Sequence, residues 1–238
     1  MDDTMMNPTS LIREYIEQEK EESYRVFAMR LLPGVVGIEG VRLPKLHRLV
    51  KHLLKDPISM EWLRQFNGQS FEETMVKGLL IGQGNWTPDE RQTLIKAFLP
   101  EINNWSHCDT FCKYIRDVDA TYLPFLKECT QSKDEFTQRF VAVMLLEHFA
   151  SPEYLDTGID FIQALALKDY YAKMSVAWYL SVVYFIRPDK VILLLKYSNL
   201  NTWTKRKTVQ KIKESKQLTP SQRMDMDNMK HFLDSIKE

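Results

Sequence analysis

Between Val41 and Lys55 the chain sorts its residues by face. Leu46, Leu49, Val50, Leu53 and Leu54 recur at helical spacing on one side, while Arg42, Lys45, Arg48, Lys51 and Lys55 recur at spacings of three and four on the other, with no acid among them. Strand-like alternation of apolar and polar residues is not convincing anywhere. Helix starts are frequent instead: Ser70-Phe-Glu-Glu73, Thr87-Pro-Asp-Glu90, Ser132-Lys-Asp-Glu135 and Thr219-Pro-Ser-Gln222 share the capping-box spacing, in which a hydroxyl and a later acid or amide satisfy unpaired amide hydrogens. Two of them add Pro at the first helical position. Stops are marked at Pro33-Gly34, Asp56-Pro57, Asn67-Gly68, Gly82-Gln83-Gly84, Ser151-Pro152 and Arg187-Pro188. These signals predict an all-α chain of about a dozen short helices.

Short connections between consecutive antiparallel helices fit either a bundle or a stacked solenoid, and an internal repeat favours the solenoid. The segment Phe136 to Leu145 aligns with Tyr171 to Leu180 at an offset of 35 residues, sharing Val-Ala and the surrounding apolar pattern. In that register Arg139 matches Met174, with Trp178 one turn further along, so a solenoid would present both side chains on a similar surface of successive repeats. Two amphipathic helices can also resemble one another without a repeat. No Gly/Ser-rich or Pro-rich linker interrupts the helices, and a single domain over residues 1–238 is expected.

Composition narrows the setting. At 238 residues with 44% hydrophobic content the chain can bury a substantial core. An odd number of cysteines, three, gives no disulfide framework and fits a reducing cytoplasm. Neither a basic-then-apolar leader nor an apolar run approaching a membrane span is visible, since the chain opens Met1-Asp2-Asp3. A cytoplasmic, non-membrane protein is the expectation. Net charge is zero, which argues against nucleic acid until its distribution is considered. From Arg187 onward there are 12 Lys+Arg against 6 Asp+Glu, and the preceding residues carry 20 against 26. The basic stripe at Arg42–Lys55 is either a solvated amphipathic face or a phosphate-facing one.

Four residues carry candidate chemistry. Trp105 and Asp109 are one helical turn apart in a polar stretch, Arg139 interrupts an apolar helix, and Trp178 follows. Indoles and a carboxylate stabilise positive charge, and a guanidinium grips phosphate with two parallel hydrogen bonds, so the set suits a cationic group on a phosphate chain, as in alkylated DNA. Each has a duller reading: Trp105 as core, Asp109 as the cap of a helix beginning at Thr110, and Arg139 as a salt bridge to Glu135 or Glu147. His107, Cys108 and Cys112 lie close together, but no second pair with zinc spacing follows, and no metal is expected. Nothing marks an oxyanion hole, a Walker loop or a dinucleotide fingerprint.

With these residues in view, the chain resembles the AlkD family of DNA alkylation-repair glycosylases, which are built from HEAT-like helical repeats. The similarity extends from Leu32 to about Ser215 through Gly40-Val-Arg-Leu-Pro-Lys-Leu46, Gly78-Leu-Leu-Ile-Gly82, Asn104-Trp-Ser-His-Cys-Asp109, Phe136-Thr-Gln-Arg139, Tyr170 to Trp178 and Trp203 to Ile212. The resemblance implies an α-solenoid of antiparallel helix pairs. It also implies excision of N3- or N7-alkylated purines from double-stranded DNA by a monomer, with no cofactor and no lyase step. Asp109 falls on the family's catalytic carboxylate, Trp105 and Trp178 on its cleft aromatics, and Arg139 on its phosphate-gripping arginine. Lys205, Arg206, Arg42 and Lys45 are expected on the DNA backbone. Two departures stand out: characterised members are strongly basic, and a further aromatic carried by some members falls on Ala28, with Tyr24 and Phe27 close by. The rival expectation is a non-catalytic HEAT-like module that binds DNA structure or a protein partner.

Overall fold

The computed structural model describes residues 7–236; the Met1-Asp2-Asp3 opening lies outside them. Every regular element among the described residues is helical, as the pattern predicted. Two compact units divide the chain, Met1–Val118 and Asp119–Glu238. The first holds α1 (Pro8–Glu19), α2 (Glu22–Leu31), α3 (Leu43–Leu53), α4 (Met60–Gln65), α5 (Phe71–Gln83), α6 (Pro88–Phe98) and α7 (Trp105–Tyr114). The second holds α8 (Leu123–Cys129), α9 (Glu135–His148), α10 (Leu155–Ala164), α11 (Tyr170–Val183), α12 (Pro188–Tyr197), α13 (Thr202–Glu214) and α14 (Pro220–Ser235). None of these helices is long and apolar enough to cross a membrane.

Within each unit every second helix packs on the next: α1 on α3, α3 on α5 and α5 on α7 in the first, α9 on α11 and α11 on α13 in the second. The middle members are buried on nearly all sides. α5, α9 and α11 bury long, nearly continuous runs of residues, including polar ones such as Glu72, Lys77 and Arg139, whereas α3 buries only Leu46, Leu49, Val50 and Leu53 and turns its basic side outward. α9 and α11 each run 14 residues and start 35 apart, at Glu135 and Tyr170, so the offset read from the sequence is the register of two packed helices.

Caps refine the expected boundaries. Thr87 with Glu90 and Thr219 with Gln222 form complete capping boxes. Ser70 accepts from the Glu73 N–H as expected, but the Glu73 carboxylate reaches back to Gln69 N. The box expected at Ser132 is displaced: α9 starts two residues later, capped by Asp134, which accepts from Thr137 N at 2.7 Å, while the Ser132 hydroxyl accepts from Asp134 N. The stop read at Gly82-Gln83-Gly84 is where α5 ends, with Gln83 its last residue, Gly84 its C-cap and Gly82 in its last turn. A Cβ there would lie 2.9 Å from the Tyr114 carbonyl oxygen, so the glycine sets how closely α5 meets the end of α7.

Candidate functional site

Trp105 is the first residue of α7, and Asn104 caps that helix with its side-chain oxygen 2.9 Å from His107 N. Asp109 therefore sits inside the helix, one turn along from Trp105 on the same face, and the reading of Asp109 as a cap for Thr110 is overturned. Both side chains are half-buried. The start of α7 is held by a neutral imidazole. His107 Nε2 lies 2.9 Å from the Phe71 carbonyl, an acceptor only, so Nε2 carries the proton; Nδ1 then accepts from Asn104 Nδ2, also at 2.9 Å. The ring stacks on Phe71, and burial lowers its pKa to about 4. Both ring nitrogens are thus engaged in positioning, and Cys108 and Cys112 are buried in the core.

Trp105 itself leans on α2. Its ring packs against Ala28, Leu32 and Ile38, and its Nε1 donates to the Leu31 carbonyl at 3.3 Å. The loop between α2 and α3 is fixed in turn from α5: the fully buried Glu72 carboxylate accepts from the backbone N–H groups of Glu39, Gly40 and Val41 at 2.9, 2.7 and 3.1 Å. Gly40 has φ +98°, a left-handed conformation that glycine adopts without strain, and a Cβ there would strike the Glu21 carbonyl. A hollow of about 130 Å³ opens beside Trp105, with Tyr24, Phe27 and Leu31 among its walls. Ala28 is buried, so Tyr24 and the half-exposed Phe27 supply the aromatic surface on that side.

In the second unit Arg139 is buried on α9 and donates from Nη1 to the Tyr171 carbonyl at 2.9 Å. Glu135, one turn earlier, accepts from Tyr171 N at 2.5 Å. The pair clasps both polar groups of one peptide position at the start of α11 and fixes the helix that carries Trp178. The Trp178 side chain is half-buried, and its carbonyl accepts from Ser181 Oγ.

The residues expected on the DNA backbone fare differently. Lys205 is buried, with its ammonium 2.6 Å from the Ser198 carbonyl at the end of α12, and burial lowers its pKa. Its ammonium is thus engaged within the fold by a carbonyl at a helix end, whereas the sequence reading expected it on the DNA backbone. Arg206 is anchored to α14 through the Leu233 carbonyl and Asp234. Lys45 is ion-paired with Glu19 and Glu21 at 2.7 and 2.9 Å, and Arg42 with Glu21 at 2.9 Å while lying over the Tyr24 ring. Arg48, Lys51 and Lys55 are exposed, as is the ion-paired Arg42. Sequence reasoning missed Lys173 and Lys207, which flank the Trp203 indole; the signal was an aromatic four residues before a lysine on one helix face.

Among curated proteins no sequence matches this chain. The family model described as DNA alkylation repair enzyme matches residues 10–212, which takes in α7, α9, α11 and all but the last two residues of α13. With a match over most of its length, the chain belongs to the DNA alkylation repair enzyme family.

Proposed function

We propose that the protein is a monofunctional DNA glycosylase that hydrolyses the N-glycosidic bond of N3- or N7-alkylated purines in duplex DNA. The alternate-helix packing inside each unit supports HEAT-like repeats as the scaffold. An alkylated purine of this kind is already cationic, so its base departs without a general acid, and the protein need only stabilise charge developing on the sugar. Asp109 stabilises the oxocarbenium-like transition state and orients water. Trp105 and Trp178 hold the sugar and cationic nucleotide against their faces, and Arg139 fixes a neighbouring phosphate. No amine forms a covalent intermediate, and the product is an abasic site. The observation that carries this reading is the start of α7 at Trp105, with Asn104 as its cap, which sets a half-buried carboxylate one turn from a half-buried indole on one helix face.

Release of 7-methylguanine or 3-methyladenine from methylated duplex DNA tests it. Asp109→Asn should retain the fold and much of the DNA binding while losing roughly 10²-fold or more in base release. Undiminished release by that variant would remove Asp109 from the mechanism. The rival reading, a non-catalytic module, is favoured by the ion pairing of Arg42 and Lys45 with Glu19 and Glu21, and it predicts DNA binding with no base release by the unaltered protein.

A further inference from the structure

The first two turns of α11 and α13 carry a cluster apart from the four residues above. Tyr170, 54% exposed, meets the Trp203 indole edge-on at a centroid distance of 5.6 Å. Two ammonium groups, Lys173 and Lys207, stand 5.3 and 5.8 Å from the centroid of the same ring. Like charges repel, so their convergence needs a reason, and the negative face of the indole supplies one. Neither lysine has a carboxylate partner among the described residues, in contrast to Arg42, Lys45, Arg206 and Lys213. Lys207 is steadied by Gln210 Oε1 at 2.8 Å.

The cluster is joined to Arg139 by direct contacts. Tyr170 packs edge-on against Tyr171 at 5.2 Å, and the Tyr171 carbonyl accepts from Arg139. Trp203 and Lys207 also border a hollow of about 520 Å³ between α13 and α14, whose lining includes Arg206, Lys213, Arg223 and Lys230 against the carboxylates of Glu214 and Asp234. A nucleic-acid backbone is a line of regularly spaced anions, and this row of cations leads away from the arginine assigned to one of them.

We infer that Lys173 and Lys207, ordered on the Trp203 indole, form a second backbone-binding station for duplex DNA, holding phosphates beyond the one assigned to Arg139. The inference rests on the DNA-repair reading above. Ammonium groups already lie against the indole, so a base could stack there only by displacing a lysine, which favours phosphate contact over single-strand stacking. Binding to undamaged duplex across a range of salt tests the station with Lys173→Gln/Lys207→Gln, compared with Lys127→Gln/Lys196→Gln, which removes the same charge from exposed positions on α8 and α12. The first variant should flatten the slope of log affinity against log salt by about two units, and weaken binding roughly tenfold at moderate salt; the second should leave the slope at the wild-type value. Equal slopes in both variants and wild type would overturn the station, as would a loss confined to single-stranded DNA. Base release by the unaltered protein is scored separately: release with an unchanged slope in the variant overturns the station alone, and a flattened slope without release overturns the catalytic reading alone. Absence of duplex binding by the unaltered protein overturns both.

Discussion

Several cations in this protein are held by carbonyls at helix ends. Lys77 donates to the Phe66 carbonyl, Arg91 to those of Gly84 and Arg116, and Lys205 to that of Ser198, each at or just beyond a helix C-terminus where carbonyls lack intrahelical partners. A count of lysines and arginines along the chain cannot separate these from cations facing solvent, which is why Lys205 reads as a DNA contact in the sequence and is a helix terminator in the fold. Lys205→Met should lower unfolding stability by about 2 kcal/mol, the scale of a hydrogen bond to a charged group, while the salt dependence of DNA binding stays unchanged. A flattened salt slope without loss of stability would return Lys205 to the DNA backbone. His107 makes a second prediction at this scale. Its pKa falls from 6.5 to about 4 on folding, so the unfolded chain binds more protons between those values, and stability present above pH 6.5 is lost as pH drops toward 4. The loss should reach about 3 kcal/mol, from ~1.4 kcal/mol per pKa unit. Denaturant titrations of wild type and His107→Gln at several pH values would isolate it, and parallel curves for the two proteins would show that His107 is not held neutral.

At the scale of helices, the legible boundaries were those where one residue controls the end. Thr87 and Thr219 mark α6 and α14 because hydroxyl, proline and acid or amide all agree. Ser132 misleads because α9 starts two residues later, capped by Asp134, whose own N–H donates to the Ser132 hydroxyl. Asp109 could not be assigned from sequence between cap and site, since Asn104 and Asp109 both precede helical stretches and only the observed start of α7 decides which one caps. The glycine in the last turn of α5 is the least visible feature and one of the most consequential, because it lets α5 approach the α7 end at Tyr114. Gly82→Ala should force those helices apart and cost about 1–3 kcal/mol, the usual range for overpacking. Base release should fall with it, because α7 carries Trp105 and Asp109. Unchanged thermal unfolding in this variant would mean that the end of α7 yields without cost.

For the molecule as a whole, zero net charge sets a ceiling on how tightly DNA can be held by Coulomb attraction alone. The offset of 35 residues was readable because α9 and α11 have equal lengths and packed registers; the other neighbours differ in length, and their kinship is carried by packing that no short window of sequence shows. Charge is similarly local. The excess of Lys+Arg lies from Arg187 onward, yet part of it is paired within the fold with Asp227 and Asp234, and the Lys205 ammonium is held by the Ser198 carbonyl. If Arg139, Lys173 and Lys207 are the principal phosphate contacts, log affinity for undamaged duplex should fall against log salt with a slope near −2.7, at ~0.9 per neutralised phosphate. Between about 50 and about 200 mM salt that amounts to roughly a 40-fold loss, well below the ~10³–10⁵ of proteins that make six to ten such contacts. Fluorescence anisotropy of a labelled duplex over that range measures it directly. A slope of about −6 or steeper would show that many more cations reach the DNA than these three, with Arg48, Lys51 and Lys55 on the exposed side of α3 the first to test by substitution.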